Sequence, residues 1–340
     1  MPGGRGKMHV CRGSRLCGID GGRTAMKAVR GHQGRPIVVD VDDVPGWDDG
    51  ELLTMAVAGI CASDFAYLRL GTRFILGHEL AGWKADGTPA LVEGLFGCGE
   101  CGFCLEGRNN LCAQSTRKAL GIMQNGGMVE QFRVPAHKVL DLPAGLDISN
   151  ASLAEPASVS WHGVRLGGTA PGRTVAVVGG GSIGQLAAAA AQAQGADEVV
   201  LEARYRHQHE IRERLGAAEP EPGTLYDVVI EAAGSPSSLQ RSIELVKPGG
   251  TVSLLGVHHG GLDVPYSALL TKEVTLVASM GYCGHAGKRE MLEAAKMLAA
   301  RPEIPDSLIT HRFPIEDAAE AFRVASDRES GAIKVVVDVA

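Results

Sequence analysis

The stretch TVAVVGGGSIG, residues 174–184, decides how this chain folds. Thr174-Val175-Ala176-Val177-Val178 is a short apolar run rich in β-branched residues and reads as a buried strand. It leads directly into Gly179-Gly180-Gly181-Ser182-Ile183-Gly184 and then into an alanine-rich helix over residues 185–194. A G-x-G-x-x-G string is common noise by itself. Between a strand and a helix it has a mechanical meaning. Gly179 permits the turn, Gly181 lets the backbone approach a pyrophosphate at the helix N-terminus, and Gly184 lets helix and strand pack closely. Gly179, Gly181, Ser182, Ile183 and Gly184 are therefore candidate dinucleotide-binding residues.

The pattern continues on the C-terminal side. Apolar runs at 198–201, 227–230, 251–255 and 274–278 alternate with helical stretches. Alternation of this kind predicts a parallel, doubly wound α/β sheet. Beyond residue 281 an amphipathic helix is expected at 288–300, a second at 315–325, and a final strand at 332–337.

Before residue 150 the texture differs. Short apolar runs such as 37–41, 52–58 and 91–95 are broken by Gly, Pro and Asp, which predicts an irregular, mostly β domain. Within it lies GCGECGFCLEGRNNLC, residues 97–112, with Cys98, Cys101, Cys104 and Cys112 spaced Cys-x2-Cys-x2-Cys-x7-Cys. Four thiols on a glycine-rich loop suit a closed tetrahedral zinc site that stabilises the fold and leaves no open position for chemistry. Two disulfides are the first alternative, but clustered thiols in a chain without a secretory signal favour metal. An iron–sulfur cluster is the second; the fourth cysteine comes too late for that pattern, and no proline follows it.

Two smaller signatures precede this loop: Gly59-Ile60-Cys61-Ala62-Ser63-Asp64 and Gly77-His78-Glu79. A cysteine, a histidine and nearby carboxylates form the mixed ligand set used where zinc keeps a position for substrate. Taken singly, a buried cysteine or a hydrogen-bonded histidine is an ordinary structural residue. Their joint occurrence is what points to metal.

The totals bound the rest. With 340 residues there is length for two domains, each with a core. The formal net charge of −6 argues against nucleic acid or an anionic membrane as main partner, and no apolar run reaches membrane-spanning length. Residues 1–25 are basic and glycine-rich with no hydrophobic core segment, and are expected to be a disordered extension. The remaining cysteines, Cys11, Cys17, Cys61 and Cys283, are scattered, which suits a reducing, cytoplasmic setting.

In order, GICASD, GHE, the four-cysteine loop, AEP at Ala154–Pro156, VVGGGSIG, EAAG at Glu231–Gly234 and LVKPGGTVSLLG resemble the zinc-containing alcohol dehydrogenases of the medium-chain dehydrogenase/reductase superfamily. The resemblance runs from Met26 to the C-terminus and is nearest to the polyol, threonine and glucose dehydrogenase branch. It implies a GroES-like catalytic domain at 26–155 plus 282–340, a Rossmann domain at 156–281, an active site in the cleft between them, and a homodimer or homotetramer. It implies one catalytic and one structural zinc, a small alcohol, polyol or carbonyl substrate, and hydride transfer with NAD(P).

Residue by residue, Cys61 and His78 resemble catalytic zinc ligands. Glu155 stands where the glutamate-type branch has its third ligand, and Glu79 resembles a glutamate that can enter or leave the zinc shell; which of them binds is open. Asp64 matches an aspartate that orients the histidine. Ser63 matches the hydroxyl that starts a proton relay, and Tyr67 resembles an aromatic of the substrate pocket, with plain packing as its other reading. The histidine often found five residues after the zinc cysteine is replaced by Ala66, so the relay must end differently. Lys334 is similar to a basic residue near the pyrophosphate.

The nicotinamide choice rests on the end of the second strand, Glu202-Ala203-Arg204-Tyr205-Arg206. NAD sites place an acid there for the ribose hydroxyls. By comparison with the family that position falls on Ala203, one residue after Glu202, and a one-residue shift turns a side chain to the other face. Arg204 and Arg206 suit a 2′-phosphate. NADP is therefore expected, with NAD through Glu202 as the alternative. Two rival readings of the whole chain are a zinc-ribbon binding protein without catalysis and a zinc-independent reductase of the same superfamily.

Overall fold

The computed structural model describes residues 25–258 and 262–340. Apart from Ala25, the expected N-terminal extension lies outside the described residues. The strands are β1 (Met26–His32), β2 (Arg35–Val41), β3 (Glu51–Gly59), β4 (Glu79–Lys84), β5 (Pro89–Val92), β6 (Gln131–Val134) and β7 (Val139–Asp141) in the first third of the chain. Then follow β8 (Thr174–Val178), β9 (Glu198–Glu202), β10 (Tyr226–Glu231), β11 (Val246–Leu254) and β12 (Thr275–Ala278). The short pair β13 (Gly284–His285) and β14 (Lys288–Arg289), then β15 (Ile309–Pro314) and β16 (Lys334–Asp338), complete the set.

Two sheets dominate. Strands β8 to β12 form a five-stranded parallel sheet in the order β12-β11-β10-β8-β9. The run Val175–Val178 is buried throughout, as expected of a strand covered on both faces. From β8 the chain steps outward one way to β9, whereas β10 to β11 steps the other way. Right-handed crossovers then place the helix Ser182–Ala193 on one face and the helix Pro236–Leu245 on the opposite face. The first packs against the helix Ala154–Leu166 through Ala187–Ala191, all buried, whose methyl groups permit close contact on two sides. The second covers Ala176, Val229 and Val252 with Leu239 and Ile243. Where a further strand could follow Val200, the structure has a single bridge to Ala218. Pro220 and Pro222 lie just beyond, and proline cannot donate to a ladder.

The other sheet has seven strands, β15-β16-β3-β4-β5-β7 with β6 paired to β3. It joins both ends of the chain, because β16 pairs parallel to β15 and antiparallel to β3. Its core includes Leu53, Met55, Leu80, Met128 and Phe132, all 2% exposed or less. Each such side chain contributes roughly 1.5–3 kcal/mol on burial.

The expected strands lie within or beside the observed ones. Several boundaries differ. The nucleotide-side helix begins at Ser182 rather than 185, because Gly181 is its N-cap and Gly184 lies inside it. The helix expected from 288 begins at Glu290, since Lys288 and Arg289 pair as β14. The last strand begins at Lys334 rather than 332. Among the described residues no helix is long and apolar enough to cross a membrane.

Candidate zinc and nucleotide sites

The helix Ala62–Arg69 fixes the first signature. Cys61 is its N-cap, and the Asp64 carboxylate accepts the Cys61 N–H at 2.9 Å, so the sequence Cys-x-x-Asp closes a capping box. Gly77, at φ +98, turns the chain so that His78 and Glu79 enter beside it as β4 begins. Ligand atoms of Cys61, His78 and Glu79 lie within 4.8 Å of one another. Glycine at 59 is obligatory here: a Cβ would lie 1.9 Å from Glu79 Oε2.

His78 Nε2 lies 3.3 Å from the Ser63 hydroxyl. Its Nδ1 lies 3.6 Å from Asp64 Oδ1; both atoms are buried and neither has a hydrogen-bond partner. Burial alone would push the imidazole down, but Asp64 and Cys61 carry it well above the usual histidine range. A thiol, an imidazole and a carboxylate this close together are a donor set that fits zinc. Glu155 stands in the first turn of the helix Ala154–Leu166, outside the 4.8 Å set. Burial pushes its carboxyl up to about 7, with His78 pulling the other way. Tyr67 is half-buried on the Cys61 helix.

Lys334 requires a correction. It was expected near a pyrophosphate, but its ammonium is buried against both oxygens of Glu79, at 2.7 and 2.8 Å, and the Ile60 carbonyl at 3.1 Å. A buried lysine needs a counter-ion, and strand pairing of β16 beside β3 presents one.

The four cysteines of the second loop converge, with all four sulfurs within 4.8 Å and Cys98 Sγ to Cys104 Sγ at 3.9 Å. Tetrahedral thiolates around zinc stand about 3.8 Å apart. Backbone N–H groups of Glu100 and Cys101 hold the Cys98 thiol down at about 6, which favours the ligating thiolate. A Cβ at Gly97 would lie 2.3 Å from Cys104 Sγ, so this glycine makes room for the cluster.

At the glycine loop, Gly179 adopts φ +120 and its N–H donates to the Glu202 carbonyl at 3.0 Å. A Cβ at Gly184 would lie 1.7 Å from the Gly179 carbonyl oxygen, whereas one at Gly181 would meet no atom within 4 Å. The loop is thus tight behind and open in front, the form needed to admit a pyrophosphate. Ser182 and Ile183 open the helix above it. Beside it, Glu231 is fully buried; one carboxylate oxygen accepts N–H groups of Ala233 and Gly234 and the Ser238 hydroxyl, and the other faces His258 Nε2 at 3.0 Å.

At the end of β9, Ala203 faces the loop: a Cβ on Gly180 would lie 2.7 Å from the Ala203 methyl. Glu202 instead accepts a hydrogen bond from Arg241 Nε at 2.7 Å. Arg204 and Arg206 are exposed; the Arg204 guanidinium lies over the Tyr205 ring, and Arg206 pairs with Glu210. Sequence reading missed Arg241, whose partner is 39 residues away. It also read Cys283 as scattered. That residue joins a buried brace in which Glu290 accepts from Arg165 Nε at 2.7 Å and the Cys283 N–H at 2.7 Å, with His162 Nδ1 at 2.8 Å.

Residues 47–144 match the family model described as alcohol dehydrogenase GroES-like domain, and residues 150–339 match glucose dehydrogenase C-terminus. The chain belongs to the zinc-type alcohol dehydrogenases of the medium-chain superfamily. Similar relatives include L-galactonate-5-dehydrogenase of Escherichia coli (strain K12), 30% identical with 84% of this chain and 91% of that protein covered. Sorbitol dehydrogenase of Bacillus subtilis (strain 168) is also 30% identical, covering 92% and 97%. A solved zinc-binding dehydrogenase from Sinorhizobium meliloti 1021 bound to NADP superposes with TM-score 0.82 at 30% identity, covering 93% and 99%. As a zinc-type alcohol dehydrogenase the chain is a zinc-dependent oxidoreductase that transfers hydride between NAD(P)(H) and an alcohol or polyol or its carbonyl counterpart. A non-catalytic zinc-ribbon role has no support among relatives that are dehydrogenases by name.

Proposed function

We propose that Cys61, His78 and Glu155 hold the catalytic zinc of a polyol or sugar-acid dehydrogenase that uses NADP. The observation that carries the ligand assignment is that Glu79 has both oxygens committed to Lys334, at 2.7 and 2.8 Å. Proximity favours a second reading, with Glu79 as third ligand, because its carboxylate lies in the 4.8 Å set. Cys98, Cys101, Cys104 and Cys112 hold the structural zinc.

When bound, the catalytic zinc supplies a Lewis acid that lowers the pKa of a substrate alcohol, and the nicotinamide supplies the hydride acceptor or donor. Ser63, at hydrogen-bond reach of His78, takes the proton of the substrate hydroxyl and hands it on to water, since Ala66 offers no further acceptor. Asp64 holds the His78 ring from behind. Tyr67 lines the pocket from the same helix as Ser63. The names of the relatives, which include L-galactonate-5-dehydrogenase, sorbitol dehydrogenase and L-arabinitol 4-dehydrogenase, support a secondary alcohol on a polyhydroxylated carbon chain.

The NADP assignment is supported by Ala203 facing the glycine loop, by Glu202 facing Arg241, and by the exposed Arg204 and Arg206. The domain division at 26–155 plus 282–340 and 156–281 is supported by the two sheets, with the reaction in the cleft between them. Edge strand β12, preceded by the exposed Tyr266 and Leu270, suits a homodimer or homotetramer face. The six free thiols among the described residues suit a cytoplasmic setting.

The test is metal content beside turnover. Glu155→Gln should lower zinc from two per chain to one and abolish oxidation of polyols and sugar acids, while Glu79→Gln should keep both ions. The reverse result assigns Glu79. Full zinc content and activity in both variants would refute a carboxylate ligand.

A further inference from the structure

The pair Arg241–Glu202 has a consequence for cofactor choice. Glu202 is the last residue of β9, paired with Val178, which immediately precedes the glycine loop. Side chains at successive strand positions leave opposite faces. Ala203 leaves toward the loop, and Glu202 leaves toward the helix Pro236–Leu245, which the crossovers place on the other face of the sheet. There Arg241 holds it at 2.7 Å and is itself steadied by Glu244 at 3.4 Å. Both partners of the Glu202–Arg241 pair are about one-third exposed. The Arg204 backbone N–H donates to Gln208 Oε1 at 3.1 Å, fixing the turn that follows β9.

We infer that Arg241 is a positioning residue for cofactor specificity. By pairing with Glu202 it removes the one carboxylate at the end of β9 that could accept ribose 2′- and 3′-hydroxyls, and it cancels the charge that would repel a 2′-phosphate. The end of the cleft is then left to Arg204 and Arg206. This inference rests on the NADP reading given above.

The experiment measures binding of 2′,5′-ADP and of 5′-AMP by calorimetry, on the zinc-loaded full chain, for wild type, Arg241→Leu, Glu202→Gln and the double variant. These probes report the adenosine end alone and need no turnover. Wild type should bind 2′,5′-ADP at least tenfold more tightly than 5′-AMP. Arg241→Leu should shrink that ratio about tenfold, Glu202→Gln should leave it equal or larger, and the double variant should recover it. Recovery separates positioning from direct contact, because an arginine that touched the phosphate could not be replaced by deleting the acid. A ratio unchanged in Arg241→Leu, or not recovered in the double variant, overturns the inference. A wild-type preference for 5′-AMP overturns the NADP reading instead. The isosteric Glu202→Gln keeps the comparison readable should Arg241→Leu fold poorly, since a ratio that falls in Glu202→Gln also overturns the role assigned to Arg241.

Discussion

Lys334 Nζ lies 2.7 and 2.8 Å from the two carboxylate oxygens of Glu79, a contact between residues 255 positions apart in sequence. Both side chains are almost fully buried. The pair joins the last strand of the chain to the candidate metal cluster. Burial would push the ammonium down, but Glu79 and Cys61 hold it above the ordinary lysine value, so it stays charged at neutral pH.

Removing one partner of such a pair leaves an unpaired buried charge, which costs about 3–5 kcal/mol. Lys334→Met should therefore lower the thermal and urea midpoints sharply, and Glu79→Leu combined with it should recover much of the loss. A single variant as stable as wild type would show that the charges do not depend on each other.

The second and third glycines of the G-x-G-x-x-G motif should separate stability from binding. Gly181 has ordinary extended backbone and open space before it, so Gly181→Ala should change stability by less than about 0.5 kcal/mol yet weaken NADP binding at least tenfold. Gly184→Ala forces a methyl into the Gly179 carbonyl and should cost about 1–3 kcal/mol as well as binding. Equal effects of the two variants on the melting temperature would contradict this division.

Asp227 accepts hydrogen bonds from the Thr174 N–H and hydroxyl at 2.9 and 2.8 Å, and its carboxylate lies 3.0 Å from Lys247 Nζ. Burial works against the charge, but these donors carry the carboxyl down to about 2 from an ordinary 3.8. A depressed folded pKa stabilises above the unfolded value and is lost as pH falls through the folded one. Allowing for solvent screening, Asp227→Asn should cost about 1 kcal/mol at pH 7, and its difference from wild type should fade between pH 4 and pH 2. Urea midpoints measured across that range check the sign; a gap that widens toward acid would reverse it.

Zinc uptake by metal-free protein should release protons and weaken as pH falls through 7, because the Glu155 carboxyl, pushed up to about 7 by burial, must ionise to ligate. Calorimetry in buffers of differing ionisation enthalpy counts the protons. Glu155→Gln should release fewer, and an unchanged count would exclude that carboxylate from the shell. Cys104→Ser should separately remove the structural ion and leave one zinc per chain.

How much of this was legible follows from the range of each interaction. The glycine loop and the four-cysteine loop are local: their meaning lies in spacing within sixteen residues, and their places in the structure follow from it. The strands were legible because buried runs such as Val175–Val178 have their own pattern. The opposite turn of Glu202 and Ala203 was legible from strand alternation alone. The donor to Glu202 was not, since Arg241 lies on a helix beyond another strand. Lys334 was misplaced for the same reason: no local period shows that β16 would bring it to Glu79.

Strand β16 lies inside the seven-stranded sheet, between β15 and β3. During synthesis, β3 and Glu79 emerge from the ribosome more than two hundred residues before their partners. The five-stranded sheet can close while the chain is still growing, but the seven-stranded sheet must wait until β16 has been made. Deletion of β16 should therefore yield a folded nucleotide half carrying an unfinished, aggregation-prone companion.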